Sequence, residues 1–231
     1  MTEYAGWTQK EAEGFDCFLQ EACGIPAGIL MENAGKASAE IALNLSIENG
    51  YSNILFLVGP GNNGGDALVS ARHLFSALPI QVWAPIGPPK DPNSPAYSAW
   101  DALQRMNVPL SERGGSPIEL TPATLVLDGL FGIGLSRPVE GAAAEALQMI
   151  SQSPAKVLAL DIPSGLDTDT GCIHGKALPA HWTLSFVGPK RGFFLQDGPL
   201  LCGQIQTAPI GVSSAFAEAW LENRRVASLE S

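Results

Sequence analysis

The chain has 231 residues, 45% hydrophobic and 16% charged, which fits one α/β domain spanning residues 1–231 and excludes global disorder. Its net charge of −10, with only 13 lysines and arginines, argues against a nucleic-acid partner, because phosphate neutralisation needs clustered cations. No apolar run approaches the roughly 18–20 residues that cross a bilayer, so no membrane span is predicted.

In chain order, the sequence predicts two helices and then strands that alternate with helices. Short apolar runs predict buried strands, and helical spacing predicts the segments between them. The predicted helices are Thr8–Ala22, Leu30–Glu48, Asp66–Leu78, Pro95–Met106, Ala142–Ser151 and Ser214–Arg224, and the predicted strands are Asn53–Val58, Ile80–Trp83, Thr124–Leu127, Lys156–Leu160, Thr183–Val187 and Gln204–Thr207. This alternation predicts a mostly parallel sheet covered on both faces, which binds ligands beyond the carboxyl ends of its strands.

The first candidate binding loop follows the first strand and runs from Gly59 to Asp66. Its glycines match the GxGxxG spacing of dinucleotide-binding turns, and the helix behind them offers free amides to a phosphate. A tight turn capped by Asp66 is the alternative, but two adjacent asparagines in the loop favour function. An ordinary NAD-dependent dehydrogenase is disfavoured, because the second strand ends in Ala84 and Pro85, with no acid to hold a ribose.

Two later strands lead directly into aspartates, Asp128 and Asp161. The loop after Asp128 contains Arg137, a candidate phosphate contact, although a flexible loop with a solvated arginine is the alternative. Asp161 ends an apolar strand, so partial desolvation makes it a candidate general acid or base; a turn-capping aspartate is the alternative. Ser164 follows, but Ile162 breaks the GxSxG pattern of a hydrolase nucleophile.

Oxygen-bearing side chains from three loops, on Asn63, Asp128 and Ser164, meet at the same predicted edge of the sheet. Amide, carboxylate and hydroxyl oxygens suit a hard cation, and the residue types leave potassium, sodium and magnesium open. Zinc is disfavoured, because the four cysteines have no CxxC spacing and the three histidines no HExxH spacing. Free thiols are therefore expected.

Two other segments of the chain contribute weaker signals. Residues 1–7 have no basic segment followed by an apolar one, so no secretion signal is predicted and a cytoplasmic location is expected. Lys190 and Arg191 follow a later strand, where phosphate contact and simple solvation are equally compatible with the sequence.

Five motifs in register give the chain a resemblance to a known family. They are Met31–Gly35, Gly61–Asp66, Asp128–Leu135, Asp161–Asp167 and Phe186–Gly192. With this order and spacing, the chain resembles the NAD(P)H-hydrate epimerase family, also called the YjeF N-terminal-domain family, over nearly its whole length. The resemblance implies a Rossmann-like three-layer α/β/α fold, a homodimer and one potassium ion per subunit.

The resemblance also implies a reaction, which is epimerisation at C6 of hydrated NADH or NADPH in metabolite repair. It makes Asp161 the catalytic residue at the reacting ring and Asn63, Asp128 and Ser164 the potassium ligands. The implied substrate-binding residues are Asn62, Asn63, Gly64, Gly65, Asp66, Gly132, Ile133, Gly134, Leu135, Ser136, Arg137, Pro138 and Asp161. The sequence has no second dehydratase domain of the kind fused in many relatives, so epimerisation alone is expected.

The sequence departs from the usual family pattern at three positions, which are Ala67, Ile133 and Gln204. None of them is a proposed chemical group, so affinity is more in question than activity. The competing hypothesis is a non-catalytic module that keeps the dinucleotide cleft as a scaffold for protein or RNA partners. It is disfavoured because a scaffold has no reason to retain both strand-end aspartates together with Asn63 and Ser164.

Overall fold

The computed structural model describes residues 6–112, 115 and 117–229. Residues 1–5, on which the predicted absence of a secretion signal largely rests, lie outside these ranges. The helices are α1 Gln9–Glu21, α2 Ala27–Asn49, α3 Asn62–Leu74, α4 Pro95–Arg105, α5 Gly141–Ser151, α6 Gly198–Leu201 and α7 Ser214–Leu229. The strands are β1 Asn53–Val58, β2 Ile80–Trp83, β3 Leu110–Ser111, β4 Thr124–Gly129, β5 Lys156–Leu160, β6 Trp182–Phe186 and β7 Gln204–Ala208.

The seven strands of the described residues form one sheet in the order β3-β2-β1-β4-β5-β6-β7. Every ladder between neighbouring strands is parallel, as the alternation of helices and strands predicts. The strand order reverses between β1 and β4, and such a switch point opens a crevice at the carboxyl ends of the strands. The two loops predicted to bind a dinucleotide leave the sheet on either side of this crevice.

Alternating side chains of the strands build two apolar cores, one on each face of the sheet. Ile54 and Phe56 of β1 belong to the core that includes residues of α1, α2, α3, α4 and α7, whereas Leu55 and Leu57 belong to the core on the opposite face, which includes residues of α5. The predicted three-layer α/β/α fold is therefore confirmed. Within the described residues, no helix is both long enough and apolar enough to cross a bilayer.

The start of α3 differs from the sequence prediction. The helix begins at Asn62, with Gly61 as its N-cap, so Asp66 lies inside the helix and does not cap it. Close approach of the backbone explains the difference, because a Cβ on Gly64 would lie only 1.9 Å from the carbonyl oxygen of Gly59. The glycines let the helix start directly against the loop that leaves β1.

Helix α1 begins in a capping box, in which Thr8 and Glu11 satisfy each other's backbone amides. Its apolar face packs against α7 through aromatic rings, with the Phe15 ring 5.0 Å from that of Trp220. The Trp7 indole, just before the helix, stacks on the same Trp220 ring. These contacts fix α1 across the carboxyl edge of the sheet, where the helix forms a wall of the cavity described next.

Candidate active site

A cavity of about 650 Å³ lies at the carboxyl ends of β1, β4, β5 and β6. This volume falls in the range of small-molecule sites, about 300–1,000 Å³. Of the residues predicted to bind the substrate, all line this cavity except Gly65 and Pro138. Gly65 faces α2 instead, where an added Cβ would lie 2.4 Å from Cε of Met31. The predicted loops therefore meet around one space.

The first turn of α3 forms one side of the cavity. Asn62, Asn63 and Gly64 line it, and no side chain of the described ranges caps the helix N-terminus. The free amides of a helix start attract anions, which suits the phosphates of a dinucleotide. Arg137, on the loop after β4, lines the same cavity and is exposed to solvent. Both features put positive potential at this part of the cavity in an otherwise acidic chain.

Beneath the cavity, the structure brings together the three side chains predicted to hold a cation. Asp128 and Ser164 are fully buried, and the Ser164 hydroxyl donates to Oδ1 of Asp128 at 2.6 Å. The Phe131 peptide links them to Asn63, because its N–H donates to the Ser164 hydroxyl at 2.9 Å and its carbonyl accepts from Nδ2 of Asn63 at 2.8 Å.

The oxygen atoms of this cluster fit a hard monovalent cation. Among the described residues, the buried Oδ1 of Asn63 finds no hydrogen-bond partner, which is costly unless something else satisfies it. Burial raises the pKa of Asp128 to about 6, although hydrogen bonds from Ser164 and Leu130 oppose that rise. Within the described ranges, no three His, Cys, Asp or Glu side chains group so as to hold a metal ion. A cation here would therefore be held by mixed, mainly neutral oxygens.

Asp161 lies on the cavity wall directly after β5, in a backbone conformation that non-glycine residues rarely adopt, with φ +61°. Its Oδ1 accepts two hydrogen bonds, one from the Lys190 ammonium at 2.6 Å and one from the Phe186 amide at 3.0 Å. No described residue donates to Oδ2. An aspartate held by one oxygen in a strained conformation is typical of functional sites.

Lys190 is part of this site, although the sequence left it open between solvation and phosphate contact. It is 2% exposed, and its ammonium contacts the Ser185 hydroxyl at 3.0 Å and the Phe186 carbonyl at 2.9 Å in addition to Asp161. The chain reverses at Val187, whose φ is +69°, and this turn brings Lys190 back beneath Asp161. The sequence feature that could have indicated this role is the position of the lysine. It follows Gly188 and Pro189 shortly after β6, the strand that pairs with β5.

Three further carboxyl residues line the cavity, Asp16 and the exposed Glu13 from α1 and Asp66 from α3. Burial, followed by repulsion from Asp161, raises the pKa of Asp16 to about 6. Burial and then repulsion from Asp161 and Asp16 raise the pKa of Asp66 well above its usual value. Sequence reasoning missed Asp16, because an isolated acid on an amphipathic helix is ordinarily solvated. The sequence feature that could have indicated its role is the position of Asp16 between Phe15 and Leu19, the buried residues of α1.

The chain is similar in sequence to known proteins. Residues 27–192 match the family model described as YjeF-related protein N-terminus. The chain is 31% identical to the NAD(P)H-hydrate epimerase of Levilactobacillus brevis, over 94% of this chain and 98% of that protein. It is 34% identical to the bifunctional NAD(P)H-hydrate repair enzyme Nnr of Moorella thermoacetica, over 95% of this chain but only 43% of that protein.

A yeast protein of known crystal structure has a similar fold. The two superpose with a TM-score of 0.74, covering 89% of this chain and 88% of the yeast chain. Their sequence identity is 22%, so this likeness supports the three-layer fold alone.

Proposed function

The chain belongs to the family of YjeF-related protein N-termini, and we propose that it interconverts the two C6 epimers of hydrated NADH and NADPH. Relatives named as NAD(P)H-hydrate epimerases match most of the chain. The observation that carries the proposal is the cavity, which combines an uncapped helix N-terminus for phosphates with Asp161 on its wall. A dinucleotide and its reacting ring need both features.

The proposed substrate carries a hydroxyl group on C6 of the reduced nicotinamide, next to the ring nitrogen. Such a hemiaminal changes configuration by losing and regaining oxygen through an iminium, or by opening to an aldehyde and closing on the other face. Either route needs a proton transfer at oxygen and an anionic partner for developing positive charge. Asp161 is the proposed catalytic residue, because no residue in the described part of the chain donates to its Oδ2 and because it lines the cavity.

The first prediction concerns the reaction itself. Adding the protein to one purified hydrate epimer should bring the two epimers to equilibrium much faster than buffer alone, because the cavity combines binding with a carboxyl group. Chiral or reversed-phase chromatography of timed samples measures both epimers. Tight binding of the hydrate without any acceleration would favour the scaffold hypothesis instead. Oxidation of an alcohol with NAD would point to a dehydrogenase.

Potassium is the proposed resident cation, held by Asn63, Asp128 and Ser164. The orphaned Oδ1 of Asn63 and the neutral oxygens around it support a monovalent ion. When bound, potassium would supply positive charge beneath the cavity and offset the buried Asp128 carboxylate. The protein residues themselves order the loops after β4 and β5, because Asp128, Ser164 and the Phe131 peptide are joined by hydrogen bonds.

The second prediction tests this cation site by its effect on stability. Potassium chloride should raise the melting temperature above that in choline chloride of equal ionic strength, because a ligand at 100 times its Kd stabilises by about 2.7 kcal/mol. Asn63→Ala should lose the potassium-specific increase. Asn62→Ala, which removes the exposed neighbouring amide, should keep it. Equal melting temperatures in both salts, or an unchanged increase in Asn63→Ala, would remove potassium from this site.

The remaining parts of the proposal are the setting and assembly of the protein. All four cysteines are free, which favours a reducing compartment, and we assign the protein to the cytoplasm. Residues 1–231 act as one domain in this proposal. The family resemblance supports a homodimer, and sedimentation velocity at micromolar concentration would measure it.

A further inference from the structure

The proposed function gives Asp161 two tasks, to transfer a proton and to stabilise positive charge. The geometry around Asp161 suits only the second task. Lys190 and the Phe186 amide both donate to the same carboxylate oxygen, at 2.6 and 3.0 Å, so this oxygen is already engaged as an acceptor from a cation and an amide. A proton donor is then needed elsewhere on the cavity wall.

Asp16 lies on that wall and has the opposite surroundings. Ala12, Asp16 and Gln20 are spaced along the face of α1 that lines the cavity, and Asp16 is half-buried there. Among the described residues, none donates a hydrogen bond to its carboxyl group. A half-buried carboxyl group without donors favours its neutral form, which has a proton to give.

We propose that Asp16 is the general acid that protonates the C6 hydroxyl of the hydrate, while Asp161 stabilises the cation that results. This inference rests on the proposed epimerase function and assigns a second catalytic residue to it. Two carboxyl groups whose surroundings differ in this way commonly divide acid and charge-stabilising roles.

The proposed step conserves atoms and electrons. The Asp16 proton moves to the C6 hydroxyl oxygen, the C6–O bond breaks, and water leaves with the bonding pair. The lone pair of the ring nitrogen forms the C6–N double bond of an iminium beside Asp161. Water then adds to the opposite face of C6 and releases its proton to solvent, from which Asp16 is protonated again. The two epimers differ only in the face that carries oxygen, so no oxidant or reductant is needed.

Charged groups from three other segments face Asp16 across the cavity. Asp161 after β5 and Asp66 on α3 are anionic when ionised, Lys190 is cationic, and Glu13 lies one turn away on the same helix. Burial is the largest influence on Asp16, the repulsion from Asp161 comes next, and together they raise its pKa to about 6 despite Lys190. A general acid works best when its pKa is near the working pH.

The third prediction is the rate and pH profile of Asp16→Asn. The wild-type kcat/KM should fall about tenfold per pH unit above roughly pH 6, because the required acid form of the free enzyme disappears. Asp16→Asn should lower kcat about 10²–10⁴-fold and abolish this slope, with little change in KM. Asp16→Glu should retain the slope, and Glu21→Gln, on the exposed end of the same helix, should match the wild type.

Two measurements distinguish a failure of the proposed function from a failure of the role of Asp16. In carboxyl ¹³C NMR, the aspartate resonances of the wild type that titrate near pH 6 should include one that is missing from Asp16→Asn, whereas the resonance of Asp128, expected in the same range, should remain. A wild type that does not interconvert the epimers would overturn the proposed function, and this inference with it. A wild type that does so, together with an Asp16→Asn variant that keeps both its rate and its slope, would overturn only the role of Asp16. Absence of the titrating resonance would likewise count against it.

Discussion

Replacing Asp161 by asparagine is expected to slow the interconversion of the hydrate epimers by about 10²–10³-fold, the usual cost of removing one charge-stabilising group. Asparagine keeps the shape of the side chain and tolerates the positive φ at this position, so the backbone should stay in place. The loss should fall on kcat, because the carboxylate acts on charge that develops only in the transition state. Steady-state kinetics with each purified epimer measure it.

The same substitution removes the carboxylate that faces Lys190, so a loss of folded protein must be told apart from a loss of chemistry. Circular dichroism and binding of the hydrate report whether the cavity survives. Asp169→Asn provides a matched control, because this aspartate accepts a hydrogen bond from the Gln9 amide near the start of α1 but does not line the cavity. A folded Asp161→Asn variant with nearly normal turnover and affinity would remove Asp161 from the chemistry.

The strand ends were the most predictable part of the site. β1, β4 and β5 are apolar runs too short for helices, and each leads into the loop that forms the cavity. Since parallel strands share one carboxyl edge, Asn63, Asp128, Asp161 and Ser164 had to lie near one another once the sheet was predicted. Their grouping is therefore a consequence of topology, which a sequence pattern of this strength determines.

The residues that escaped prediction depend on backbone geometry and on distant helices. Lys190 reaches Asp161 only because the chain reverses at Val187, a β-branched residue in the left-handed region that no sequence rule would place there. Asp16 reaches the cavity only because the aromatic contacts of α1 with α7 orient that helix. The sequence predicts a loop through Gly64, whereas in the structure this residue lies in the first turn of α3.

A second large effect is expected at Lys190, where methionine should lower the free energy of unfolding by about 3–5 kcal/mol, the usual cost of breaking a buried ion pair. The lysine is 2% exposed, and its ammonium is surrounded by the Asp161 carboxylate, the Ser185 hydroxyl and two carbonyl oxygens. Urea unfolding at neutral pH measures the change. Lys36→Met is the control, because its exposed pair with Glu40 should change stability by about 0.5 kcal/mol or less.

The double variant Asp161→Asn with Lys190→Met separates the structural role of the pair from its chemical role. If most of the penalty comes from leaving one charge buried without its partner, the double variant should be about 1–3 kcal/mol more stable than the sum of the two single effects. Catalysis should not recover with it, because the carboxylate is still missing. Simple additivity of the two stability losses would mean that each residue contributes through its other contacts. The contact with Lys190 would then not explain how Asp161 is held in place on the cavity wall.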